Sequence, residues 1–361
     1  MRPTRVWSVH VRQILLVGSV NLADAEDVFR TAASILGEAA FAVPDGETGY
    51  ARLAYKQCQL PFFLAHNQLD IVEPDPENEG QYRTPRVPAC GIYAHDPKDL
   101  YQGKARLREG VEPGDVVFDE LGYAGWAIES YAVFARLKDD GIIAPATRFL
   151  VDMPTPRCVT RMMLPSDVEK IMPAYTRGLG NEAAKIASSI PHDQLAIQWS
   201  TTEPGRYDDM SPEERSRAKS DMAELAQFVP EDIPFGYHLC YGDLGHRHVV
   251  EPPTLSTTVE IANALVRYAP RRIDWIHMPV PQDRTDEPYF APLRSLTLPA
   301  ATRLNLGLVH EADGLEGARE RMRVADKFAS DYGISTECGL GRRPPEAIPQ
   351  ILRLHLEIAR G

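Results

Sequence analysis

The chain has 361 residues, 43% of them hydrophobic and 25% charged, and 39 Lys and Arg stand against 51 Asp and Glu for a formal charge of −12. That length suits about two ordinary domains or one large α/β barrel with an insertion, and the composition excludes disordered, collagen-like and disulfide-scaffold classes. The acidic balance, with no basic run longer than Arg271-Arg272 or Arg342-Arg343, argues against a nucleic-acid partner.

No apolar stretch approaches the roughly 18 residues of a membrane helix, so no membrane partner is expected. The N-terminus carries Arg2, Arg5 and Arg12, but the apolar run after them is short and interrupted by Gly18-Ser19. It does not read as a signal peptide, which predicts a cytoplasmic protein. Five cysteines, an odd number, read as reduced thiols and not as a disulfide framework.

Short apolar runs alternate with longer helical patterns along the chain, the signature of β/α units and a parallel sheet. Strands are predicted at residues 14–20, 39–43, 147–152, 194–200, 234–241, 273–278, 303–310 and 333–338. Helices are predicted at 25–37, 167–190, 211–229, 257–268, 314–332 and 347–359. Eight such strands predict the α/β class and a closed (β/α)8 TIM barrel. A doubly wound open sheet would place a Gly-rich phosphate turn after the first strand, where Gly18-Ser19-Val20-Asn21-Leu22 stands instead. Residues 49–129 fit no simple unit, being rich in Pro and Gly and irregular over Tyr82 to Tyr93, with one helix starting near Tyr123. They are read as a large insertion after the second strand, near the mouth of a single barrel domain spanning 1–361.

Catalytic groups in such barrels sit at the C-terminal ends of strands. His238 and Cys240 lie two residues apart on the fifth strand, a spacing that points both side chains to one face. Cys338 ends the eighth strand and is followed by Gly339 and Gly341, which let the backbone turn close to a bound group. The eighth strand returns beside the first, and the narrow interior lets side chains of different strands converge. On the sixth strand His277 offers a second imidazole. Imidazole plus two thiolates is the ligand set of a catalytic zinc (Zn2+), with the fourth position open to His277, a carboxylate, water or substrate. A lone His-x-Cys pair also arises by chance, and a strand cysteine is commonly a small buried hydrophobe. Spacing alone therefore leaves both readings open. Cys58, Cys90 and Cys158 lack such a setting and are read as structural.

The runs Gly18-Ser19, Asp45-Gly46-Glu47, His238-Leu239-Cys240 and Glu337-Cys338-Gly339-Leu340 appear in the order of motifs in the catalytic barrel of cobalamin-independent methionine synthase. From about Leu16 to the last helix the chain resembles that family, within the uroporphyrinogen decarboxylase/methionine synthase superfamily, and above all its single-barrel bacterial members. The stretches 195–199, 276–281 and 306–310 carry the resemblance further. It implies a (β/α)8 fold, zinc held by His238, Cys240 and Cys338, and transfer of a methyl or other alkyl group to a zinc-bound thiol. The ligand chemistry agrees, because a free thiol near pKa 8.5 is mostly protonated at neutral pH whereas a zinc-bound one is a thiolate. The resemblance also implies that Ser19 and Glu47 hold the amino-acid end of a thiol substrate, Glu47 pairing with its ammonium. Asp45, two residues before Glu47 in a Gly-containing loop, offers a shared cation site with it, and Gln198, Trp199 and Ser200 at the end of the fourth strand are further candidate substrate-binding residues.

Three features depart from the family. The chain has one barrel where the full enzyme has two, so folate use is not expected. Ser200 stands where the family has an acidic residue, and His277 where it has a glutamate ligand. His277, His310 and Asp283 are the candidate catalytic groups: His310 for its strand-end position and near-neutral titration, Asp283 for the polar loop after the sixth strand. The leading expectation is a zinc-dependent methyl or alkyl transferase acting on a small-molecule thiol. The alternative is a zinc-dependent lyase or hydrolase of a small aromatic or organic-acid substrate. The oligomeric state is open, a homodimer included.

Overall fold

A computed structural model describes residues 12–49, 52, 58–72, 104–160, 162–242, 248 and 250–360. Among these, nine strands form: β1 (Ala42–Pro44), β2 (Leu69–Val72), β3 (Lys104–Leu107), β4 (Arg148–Pro154), β5 (Leu195–Thr201), β6 (Phe235–Leu239), β7 (Trp275–Pro279), β8 (Arg303–Val309) and β9 (Tyr332–Thr336). Seven make one curled sheet in the order β1-β4-β5-β6-β7-β8-β9, every pairing parallel. Parallel neighbours need crossovers, and helices supply them: Ala25–Leu36, Tyr123–Asp139, Pro165–Ser189, Pro212–Glu224, Ser256–Tyr268, Gly314–Ala325 and Ile348–Arg360. This is the (β/α)8 barrel class that the strand count predicts.

The first predicted strand is corrected. Residues 14–20 form no ladder, because the chain bends at Gly18. The segment instead spans the gap between the sheet's two edges: Ile14 bridges both Ala40 and Ile334, and Val20 bridges Leu340. Leu15 N–H donates to Ile334 O at 2.9 Å and Ile14 N–H to Ala39 O at 3.0 Å. It thus occupies the eighth strand's place. Two predicted helices are shorter than expected. The one at 211–229 is α-helical only over Pro212–Glu224 before tightening into a 3-10 turn, Leu225–Phe228, and the one at 314–332 stops at Ala325, with six residues between it and β9.

Strand alternation divides the core in two. Residues 195, 197 and 199 of β5 face the helices and join the large outer core, in which Trp199, Tyr237, Leu239 and Ile276 are fully buried. Residues of the opposite parity fill the barrel. Leu15, Ala42, Leu150, Ala196 and Trp275 form a separate apolar cluster that plugs its lower end. The Trp275 ring lies across Gly236, where a Cβ would come within 2.2 Å of the indole, so this floor requires glycine on β6. The indole N–H donates to Gln198 Oε1 at 3.1 Å, and that polar handle opens the next layer toward the strand C-termini.

Of the 49–129 segment, residues 49, 52, 58–72 and 104–129 are described; Tyr82 to Tyr93 and Cys90 lie outside the described residues. Its antiparallel pair β2–β3 is anchored to the loop after β4, where Ala105 N–H donates to Met162 O and Leu164 N–H to Ala105 O. The attachment lies past the C-terminal end of β4. No described helix is long and apolar enough to cross a membrane.

Candidate metal centre

Parallel register sets the site. His238 on β6 pairs with Ser200 on β5 and with His277 on β7, so the three side chains share one inward-facing row. Two residues on, just past the end of β6, Cys240 faces the same way. Cys338 arrives from the loop after β9, and its Sγ lies 3.7 Å from Cys240 Sγ. The potential ligand atoms of His238, Cys240 and Cys338 all lie within 4.8 Å of one another.

These residues fit zinc on three observations. Two sulfurs at zinc–sulfur bonds of about 2.3 Å in tetrahedral geometry stand roughly 3.8 Å apart, close to the 3.7 Å found. His238 Nε2 is buried without a hydrogen-bond partner, a costly state for a polar atom unless a ligand occupies it. Thiolate and imidazole donors also select soft or borderline metals over Mg2+ and Ca2+. Burial, reinforced by His277 and then Arg342, holds the His238 pKa well below the usual imidazole range, so the ring is neutral and able to coordinate.

His277 does not join the ligand group. Its Nδ1 lies 2.6 Å from His238 Nδ1 and its Nε2 lies 3.1 Å from Thr336 O, so both ring nitrogens are committed. It stands behind His238, fully buried, with its pKa pushed down to about 3 by burial.

The Cys338 loop is held from the first segment. Leu340 N–H donates to Ser19 O at 2.5 Å and Gly341 N–H to Ser19 Oγ at 3.3 Å. A Cβ at Gly339 would fall 2.4 Å from Ser19 Oγ, so the close approach depends on glycine there. Arg342 Nη2 reaches Cys338 Sγ at 3.4 Å, placing a cation against the thiol. Ser19 therefore serves the loop's architecture.

Beside the thiols lies a carboxylate group. Asp45 is buried and fully engaged: Arg52 binds it at 2.8 and 3.2 Å, Ser130 Oγ donates at 2.8 Å and Glu47 N–H at 2.9 Å. Glu47 has φ of 50°, a left-handed conformation uncommon for a residue with a side chain. Its pKa is raised well above the ordinary value, first by burial and then by the charge of Asp152. Asp152 lies on the inward row of β4, opposite Gln198, and the sequence reading missed it. Burial raises its pKa to about 7 against the pull of two hydrogen bonds, from Ser200 Oγ at 2.6 Å and Gln198 Nε2 at 2.9 Å. The acidic group that Ser200 lacks is thus present one strand away, with Ser200 as its donor. Its position as last residue of a predicted strand was the available signal.

The remaining sequence-predicted residues divide by geometry. Trp199 is corrected: odd parity on β5 turns it to the helix-facing core, away from Gln198 and Ser200, and it cannot line the barrel pocket. Asp283 is corrected as well, since it is exposed in the turn after β7, outside the buried group. His310 is buried just past β8, its Nε2 2.8 Å from Val280 O and its Nδ1 3.3 Å from Glu337 Oε2, next to Cys338. Cys58 is buried with its thiol pushed up to about 11 by burial, and Cys158 sits among Thr155 and Thr202 at 3.3 and 3.4 Å; both are away from the metal group.

No family model matches the chain, and no curated protein matches it in sequence. Solved structures do. A B12-independent methionine synthase from Shewanella sp. W3-18-1, in complex with selenomethionine, superposes with a TM-score of 0.62 at 13% identity, covering 97% of each chain. A putative vitamin-B12 independent methionine synthase from Listeria monocytogenes gives 0.51 at 14% identity, over 93% of this chain and 86% of the other. A methyltransferase from Methanosarcina mazei gives 0.52 at 12% identity, over 97% and 94%. Across nearly its whole length, this chain has the fold of B12-independent methionine synthase and methyltransferase structures.

Proposed function

We propose that the protein is a zinc-dependent methyl or alkyl transferase whose acceptor is a small-molecule thiol, and that residues 1–361 form one barrel domain with 49–129 as an insertion near its mouth. The observation that carries the reading is the convergence of His238, Cys240 and Cys338 at the barrel mouth in a fold shared with methyltransferases. Those three residues would hold zinc and leave a fourth position for substrate. Bound there, zinc supplies thiol activation, keeping the acceptor sulfur as a nucleophilic thiolate at neutral pH.

The chain's own residues account for the rest. Glu47 and Asp152 offer carboxylates to an ammonium group near the thiols, which suits an amino-acid thiol such as homocysteine. Their pKa values are raised first by burial, and for Glu47 next by the charge of Asp152, so a bound cation favours the ionised carboxylates. Arg52 pairs with Asp45, whose carboxylate holds the Glu47 N–H and fixes the turn that presents Glu47. Because Val280 O can only accept, His310 Nε2 carries its proton there, leaving Nδ1 to face Glu337. Burial lowers the His310 pKa, so the ring is neutral with Nδ1 as an acceptor for the proton that thiol binding displaces. The lyase or hydrolase reading fares worse, since an anionic organic acid would enter beside Glu47 and Asp152.

The test is turnover of the zinc-loaded protein with a methyl donor, with and without homocysteine. Methylated thiol formed only when both are present supports the reading. Consumption of donor or another substrate at equal rate without thiol contradicts it.

A further inference from the structure

We propose that His277 is a positioning residue that fixes the tautomer of His238, so that His238 presents a bare Nε2 lone pair at the barrel mouth. The inference rests on the metal reading of the site and on the protons carried along one chain of hydrogen bonds.

The chain runs from a backbone carbonyl on β9 to the mouth. Thr336 O has no proton to give, so the 3.1 Å contact from His277 Nε2 is an N–H donated by the imidazole. His277 is fully buried with no carboxylate among its hydrogen-bond partners, and a charged ring there would be an unpaired buried cation. The neutral ring already carries its proton on Nε2, which makes Nδ1 an acceptor. The atom 2.6 Å away is His238 Nδ1, which therefore donates. A neutral His238 with its proton on Nδ1 has none on Nε2, the ring nitrogen that is buried without a partner.

Each link depends on sequence and register. His238 and His277 are aligned partners on β6 and β7, so their side chains rise from one row, with ring centroids 4.7 Å apart. A glutamate at 277 could reach forward as a ligand, whereas the imidazole at this position is spent on orientation. This replaces the expectation that His277 supplies the fourth ligand. Second-sphere partners of this kind set ligand orientation and basicity, and their loss costs about 10–100-fold in metal affinity.

The experiment has two readouts, neither of them activity. In metal-free protein labelled with 15N-histidine, long-range 1H–15N correlation spectra at pH 7.5 are assigned with the single variants His238→Gln and His277→Asn. The expected result is His238 protonated on Nδ1 alone and His277 protonated on Nε2 alone. A proton on His238 Nε2 overturns the inference. This readout needs no metal, so it remains decisive even if the wild-type protein fails to bind zinc, the outcome that would overturn the metal reading instead. Zinc affinity is then measured by competition with a chromophoric chelator. His277→Leu, which removes the acceptor, is expected to bind about 10–100-fold more weakly than wild type, and His277→Asn, which restores an acceptor oxygen near Nδ1, within about threefold of it. Equal affinity of a folded His277→Leu variant would overturn the inference; should that variant not fold, the wild-type tautomers decide.

Discussion

Cys240 Sγ and Cys338 Sγ stand 3.7 Å apart although 98 positions separate them in the chain. Their approach is made by β6 and β9 together with the first segment, whose Ser19 holds the Cys338 loop through two backbone N–H groups. The geometry of the centre is thus a property of barrel closure, and perturbing closure should perturb metal binding without touching a ligand.

Gly339→Ala tests this. The added Cβ would fall 2.4 Å from Ser19 Oγ and 3.0 Å from Ser19 N, so the loop must shift. Chelator competition should show zinc affinity reduced tenfold or more, with about 1–3 kcal/mol lost in urea unfolding. Ser19→Ala in the same chain removes the nearest clash and should recover part of both, a coupling that a double-mutant cycle measures.

Asp152→Asn should separate stability from binding. The Asp152 pKa is raised to about 7, so the native state binds its proton more tightly than the unfolded chain does. Its contribution to stability is complete below the ordinary aspartate range and is lost as pH rises through about 7. At pH 8 the variant should therefore be more stable than wild type by about 2 kcal/mol, a figure discounted for partial exposure, and the difference should vanish near pH 4. Ser200 and Gln198 can still donate to the amide oxygen. An amino-acid thiol should nevertheless bind about tenfold or more weakly, read as KM, because one carboxylate facing its ammonium is gone.

His355→Leu probes a buried imidazole outside the proposed ligand group. His355 Nδ1 bonds Ile351 O at 2.8 Å, Nε2 is buried without a partner, and burial depresses the pKa to about 4. A depressed histidine pKa gives stability that is present above about pH 6.5 and lost as pH falls toward 4. The leucine variant should gain about 2 kcal/mol more, relative to wild type, at pH 5 than at pH 8 in urea titrations.

Much of the architecture was legible in the residues. Seven of eight predicted strands appear within one to three residues at each end, because buried parallel strands are continuous apolar runs and need no partner to be recognised. The eighth, residues 14–20, has the composition of a strand but bends at Gly18, a consequence of closing the ring that local propensity does not encode. The His-x-Cys pair and Cys338 were found by spacing and position at strand ends. Trp199 and Asp283 were misplaced for opposite reasons. Trp199 sits at a strand end but on the helix-facing parity, and Asp283 has the loop polarity that an exposed turn shares with a pocket rim. Asp152 escaped notice because its meaning comes from a neighbour on another strand: Ser200 looked like a lost carboxylate until β4 and β5 were set side by side.

Whether His238, Cys240 and Cys338 hold zinc is read from metal content with and without one of the three. Protein purified without chelator, and its Cys338→Ser variant, are analysed for zinc by mass spectrometry alongside circular dichroism. About one zinc per wild-type chain and a large loss in a folded Cys338→Ser variant are the predicted results. No zinc in the wild type, or full retention in the variant, would contradict the assignment.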